Sequence, residues 1–154
     1  MKKARLHILL AEDSADDVSL FVRALKRADV AIDMDVVNDG IEALEYLRRM
    51  NHYANAPIPD FMFLDLNMPR KNGLEVLVEL KKDQHLKTIP VIVLSTSNAP
   101  TDILDSYAVG ATCFITKPED FEELKNFVRK LFEFWRMAEF PSENGLSGLL
   151  ASRR

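Results

Sequence analysis

Glu12, Asp13, Asp65, Ser95 and Lys117 are the residues of this 154-residue chain whose types could do chemistry together. Each stands at the end of a short apolar run. Glu12-Asp13 closes Leu6 to Ala11, Asp65 closes Phe61-Met62-Phe63-Leu64, Ser95 closes Val91 to Leu94, and Lys117 follows Thr112 to Thr116. Taken alone, Asp65 reads equally as a helix cap or a turn residue. Taken together, three carboxylates in one pocket would repel and raise each other's pKa unless a cation sat among them. A hard divalent ion with oxygen ligands, most simply Mg²⁺, resolves that repulsion and also tolerates phosphate oxygens. Asp65 is then free to act as a nucleophile toward a phosphoryl group. Lys117 supplies positive charge for the phosphoryl oxygens and Ser95 a hydrogen bond, which is catalysis by positioning and charge neutralisation.

Those roles require the runs to converge. The runs ending at Asp65 and Ser95 are continuously apolar, the pattern of parallel strands covered on both faces. Between the runs lie helix patterns. Ser14 with Asp17 has capping-box spacing and starts a helix with Val18, Phe21, Val22 and Leu25 on one face. Met34 to Val37 is a weaker second strand, and Ile41 to about Met50 a second helix. Asn51 to Pro59 is a loop, Leu74 to Lys82 a third helix, and Pro100 to Ala108 a fourth with Gly110 as its C-terminal cap. The last helix begins at Glu119 or Asp120. Five alternating βα units predict an α/β, doubly wound, five-stranded parallel sheet with helices on both faces. In such a sheet the C-terminal strand ends line one edge, where ligands bind.

Composition narrows the function classes. A net charge of −4 without a Lys/Arg block leaves no nucleic-acid footprint. No apolar stretch is long enough to span a bilayer, and Glu12, Asp13, Asp16 and Asp17 cut short what could pass for a signal peptide. The lone Cys113 excludes an internal disulfide and fits a reducing, cytoplasmic setting. His7, His52 and His85 have no ligand spacing, and there is no Gly-rich nucleotide loop.

The set Ala11-Glu12-Asp13-Ser14, Leu64-Asp65-Leu66-Asn67-Met68-Pro69 with Gly73, Ser95-Thr96 and Lys117-Pro118 resembles the receiver domain of two-component response regulators. The match covers roughly residues 5 to 136 and implies the strand order 2-1-3-4-5. The resemblance implies that Asp65 accepts a phosphoryl group from a histidine kinase. It implies that Asp13 binds Mg²⁺ directly, Glu12 mostly through water, and the Asn67 backbone carbonyl as a further ligand. It also implies that Ser95 swings toward the phosphoryl group, that Lys117 pairs with it, and that the Lys117-Pro118 peptide is cis. Phe114 stands at the switch aromatic position. The Asn51 to Pro59 loop, Ser95-Thr96-Ser97 and Phe134-Trp135 are similar to the single-domain regulators paired with phytochrome-type kinases. A generic chemotaxis-like or phosphorelay receiver is the alternative.

Residues 1–138 are thus expected to form the receiver and 139–154 a flexible or partner-docking tail, with no output domain. Phe121, Phe132, Phe134 and Trp135 broaden the apolar arc of the last helix beyond what one core contact needs. They are expected at a homodimer interface on the helix 4–strand 5–helix 5 face, unless the tail folds back over them. Self-phosphorylation and slow dephosphorylation are the only catalysis expected. An aspartyl phosphatase is the enzymatic rival. It is disfavoured because such enzymes carry Asp-x-Asp after the first strand, where this chain has Glu12-Asp13. A scaffold that keeps the fold without phosphotransfer is the other rival, opposed by the complete residue set.

Overall fold

Continuous apolar runs become the inner strands. In the computed structural model, which describes residues 5–141, β1 is Leu6–Ala11, β3 is Phe61–Leu64 and β4 is Val91–Ser95. β2, Ile32–Val37, and β5, Cys113–Thr116, lie at the two edges. All pairings are parallel, as the alternation predicts, and the order is β2-β1-β3-β4-β5, as the receiver resemblance implies. β2 starts two residues earlier than its apolar pattern suggests. Among the described residues its outer edge has no strand partner, so Asp33 and Asp35 sit in the ladder and still reach water.

Strand alternation sends side chains to two cores. Leu9, Met62, Leu64, Val91 and Val93 face α2 (Gly40–Leu47) and α3 (Gly73–Lys82). Ile8, Leu10, Phe61, Phe63 and Ile92 face α1 (Ala15–Arg27) and α5 (Phe121–Trp135). Phe21 meets Phe63 edge-on at 4.9 Å, and Phe61 packs on Trp135 at 4.5 Å. Burying rings of this size contributes roughly 1.5–3 kcal/mol each. α4 (Pro100–Val109) buries only Ser106, fewer residues than any of the other four α-helices.

Helix ends follow local chemistry. Ser14, Asp39, Asn72 and Asp120 each accept the N3 backbone N–H of the helix they start. α2 stops at Leu47, short of the expected Met50, because Arg49 and Asn51 adopt φ of 56° and leave the helical region. Asn51–Tyr53 then forms a 3₁₀ turn inside the expected loop. Gly110 ends α4 at φ 122°, a conformation open to glycine.

The apolar arc of α5 divides. Phe132 and Trp135 are buried core residues, and Phe121 lies under the Arg23 guanidinium of α1 at 5.0 Å. These are not the exposed docking residues the sequence suggests, because the helix turns that flank toward α1 and β3. Phe140 returns beyond α5 and stacks on Trp135 at 5.0 Å. Phe134, at 67% exposure, stands on the flank turned away from α1. Residues 142–154, most of the expected tail, lie outside the described residues.

Gly73 brings α3 against the end of β3. A Cβ there would stand 2.2 Å from the Asp65 carbonyl oxygen and 2.8 Å from Leu66 Cα, both backbone atoms that cannot rotate away. Gly73→Ala is expected to lower the unfolding free energy by about 2–4 kcal/mol, read as a reduced urea midpoint with an unchanged m-value.

Candidate functional site

The C-terminal ends of β1, β3 and β5 bring Glu12, Asp13, Asp65 and Lys117 together. Two ladder bonds fix the approach: Asp65 N–H donates to Ala11 O at 3.1 Å, and Glu12 N–H to Val37 O at 3.0 Å. Glu12 and Asp65 are buried, and Asp13 is exposed at the rim. One carboxylate oxygen from each of the three lies within 4.8 Å of the others. That is a donor set of hard oxygens with room for a divalent cation.

Lys117 Nζ reaches Glu12 Oε2 at 2.6 Å, Asp17 Oδ2 at 2.8 Å and Asp65 Oδ2 at 3.3 Å. Burial alone would lower the Lys117 pKa. Its hydrogen bonds to Asp17 and Glu12, with the charge of Asp65, outweigh that and hold it above the ordinary lysine range. Burial pushes the Glu12 carboxyl up to about 7. The Asp65 charge adds to the rise, while Lys117 and the Ser14 N–H oppose it. Lys117 emerges from β5, whose ladder continues as Lys117 N–H donates to Ser95 O at 2.7 Å. The Lys117-Pro118 peptide is trans, contrary to the expected cis form. Trans is the lower-energy isomer of an X–Pro bond, and the lysine reaches all three carboxylates with it.

Ser95 is fully buried at the end of β4, and its Oγ accepts the Ser97 N–H at 3.1 Å. Ser97 Oγ in turn donates to Asp102 Oδ2 in α4 at 2.5 Å. Asn67 N–H donates to Asp65 Oδ1 at 3.2 Å, which orients the carboxylate from the loop side. That loop is clipped to the start of α2, where Arg70 pairs with the cap residue Asp39 at 3.1 Å. Phe114 is apart from the carboxylates. It is half-buried against the α2–α3 core, and its N–H donates to the Tyr107 hydroxyl at 3.1 Å.

Asp17 was legible in the sequence only as a capping residue. Its N–H does donate to Ser14 Oγ, but the Ser14 N–H donates to Glu12 Oε1 at 3.1 Å, and the Asp17 carboxylate goes to Lys117. The available signal was its place one turn into the helix that leaves the strand mouth.

A family model described as the response regulator receiver domain matches residues 8–129. The chain belongs to this family. Response regulator Rcp1 of a Synechocystis species is 38% identical over 128 residues, which are 83% of this chain and 87% of Rcp1. The crystal structure of the phosphorylated cyanobacterial phytochrome response regulator RcpA is 45% identical. It matches with a TM-score of 0.84, covering 90% of this chain and all of RcpA. The Mn²⁺-bound form of Rcp1 matches at 36% identity and a TM-score of 0.82, over 89% and 99% of the two chains. The acidic cluster of this receiver therefore suits a divalent metal by its donor chemistry, and a related receiver holds one.

The raised Glu12 pKa carries a pH signature. Glu12 must be ionised to attract a cation, and between about pH 4.5 and 7 the folded chain keeps its proton. Mg²⁺ affinity is expected to rise with pH through 7, by about tenfold from pH 6 to pH 8, measured by calorimetric titration. A flat profile would show that Glu12 does not govern binding.

Proposed function

We propose that this receiver takes a phosphoryl group from a sensor histidine kinase onto Asp65 and passes the signal on through its α4–β5–α5 face. One observation carries the reading. Asp65 lies at the mouth of the sheet within 4.8 Å of the Glu12 and Asp13 carboxylates, with the Lys117 ammonium 3.3 Å from its Oδ2. An Asp65 oxygen attacks phosphorus, the donor's bond to phosphorus breaks, and an aspartyl phosphate forms on the side chain. Glu12, Asp13, Asp65 and the Asn67 carbonyl would hold Mg²⁺, which when bound supplies charge neutralisation for the phosphoryl oxygens. Lys117 exchanges a carboxylate for a phosphoryl oxygen. The Ser95 hydroxyl, held by the Ser97 N–H, turns to donate to another. Water attack on phosphorus later regenerates the carboxylate.

The likeness to RcpA supports a phytochrome-type kinase as donor, and a cytoplasmic setting fits the lack, among the described residues, of a helix long and apolar enough to cross a membrane. Exposed Leu104 and Tyr107 on α4, with Phe134 on the free flank of α5, support a homodimer on that face. Phe114 would couple the two ends, because its N–H is held by Tyr107 of α4.

Incubation with acetyl phosphate and Mg²⁺ is expected to add one acid-labile phosphoryl group, seen as a mass increment. Asp65→Asn is expected to take up none at the wild-type rate. An unmodified wild-type chain would falsify the reading. For the dimer, light scattering with and without beryllofluoride is the check. The mimic is expected to favour the doubled mass, and Phe134→Glu to hold the chain monomeric. A Phe134→Glu chain that dimerises as the wild type does removes this face from the assembly.

A further inference from the structure

We propose that Asp17 is a positioning residue that keeps hold of the Lys117 ammonium when a divalent cation takes the oxygens of Glu12 and Asp65, and so eases the cation's entry. The proposal rests on the reading of Glu12, Asp13 and Asp65 as the cation's ligands. An ammonium has three donors, and the carboxylates around Lys117 take one each, at 2.6, 2.8 and 3.3 Å. Two of these carboxylates belong to the acidic cluster and the third does not. A cation entering the cluster takes oxygens that Lys117 now holds. Asp17 is the anion that stays with the ammonium when this happens.

The surroundings make the Asp17–Lys117 pair more than an ordinary surface contact. Both residues, with Glu12, edge a cleft whose other walls are apolar, among them Leu10, Leu20, Phe21, Leu94 and Leu124. The Lys117 side chain is 14% exposed and Asp17 40%, so screening weakens the pair without abolishing it. The carboxylate is also spare in its helix. Its backbone N–H makes the cap bond to Ser14, while Glu12 takes the place that a capping-box carboxylate would fill. Asp16 stands beside it in the same turn, exposed and carrying the same charge. The pair also spans 100 residues of sequence and joins the start of α1 to the end of β5. Without it, a cation that takes the Glu12 and Asp65 oxygens leaves the Lys117 ammonium with only water to receive it.

The test is calorimetric titration of the full chain with Mg²⁺ at pH 8. Asp17→Asn is expected to weaken binding by about five- to tenfold, and Asp16→Asn by less than about twofold. Asp17→Glu, whose longer side chain still reaches Lys117, is expected to recover binding to within about twofold of wild type. In a Lys117→Met background, Asp17→Asn is expected to cost no more than Asp16→Asn, because the group it positions is gone. Equal binding by Asp17→Asn and wild type overturns the inference, as does an equal loss in Asp16→Asn. A loss in Asp17→Asn that persists undiminished in the Lys117→Met background also overturns it. A wild-type chain with no Mg²⁺ affinity overturns the cation reading, and the inference with it.

Discussion

One ammonium among a surplus of carboxylates sets the terms for this molecule. Lys117 Nζ bonds to Glu12, Asp17 and Asp65, and the Asp13 carboxylate lies close to two of them. Burying unlike charges costs desolvation, which is recovered only when geometry and hydrogen bonding are good. Here the geometry depends on residues from β1, β3, α1 and the end of β5 arriving at one edge. A parallel sheet delivers this because every strand ends on the same side, and right-handed crossovers place a helix after each strand. The two cores on either face exist to hold those strand ends in register. Even so, one cation does not balance four carboxylates. Burial raises the Glu12 pKa and the Asp65 charge adds to the rise, and a divalent cation is the group that would relieve the charge imbalance.

How much of this the sequence disclosed depended on whether the signal was local. β3 and β4 were plain because strands covered on both faces have no polar alternation. The strand-end residues followed as soon as the topology was inferred. β2 was half hidden, since an edge strand carries aspartates that a hydrophobicity pattern discounts. The end of α2 was set by two residues at positive φ, which no composition rule marks in Arg49. Asp17 is the residue whose role the local pattern hides. Its spacing from Ser14 fits a capping box, and the local explanation was sufficient by itself. Only the three-dimensional placement of Glu12, which takes the Ser14 N–H, freed that carboxylate for a partner 100 residues away. The stripe on α5 failed for a related reason. Helical periodicity locates an apolar arc but does not say how much of it neighbouring elements consume, and here α1, β3 and Phe140 take most.

The remaining contacts lead outward from the site in one direction. Ser95 Oγ is bound by the Ser97 N–H, and Ser97 Oγ by Asp102 in the first turn of α4. α4 has no side-chain cap at Ala99, buries a single residue, and exposes Leu104 and Tyr107. An element with so few buried apolar contacts opens or shifts at less cost than its neighbours. If Ser95 turns toward a phosphoryl group, the bond from Ser97 must break or follow it, and Asp102 is the next atom in the chain of contacts. The tightly packed α1–α5 side offers no comparable slack, since Phe61, Phe132, Trp135 and Phe140 form one aromatic stack there. The same fold therefore pairs a rigid side, which holds the carboxylates and lysine in place, with a loose side. A change of one hydrogen bond at Ser95 has somewhere to go only on the loose side.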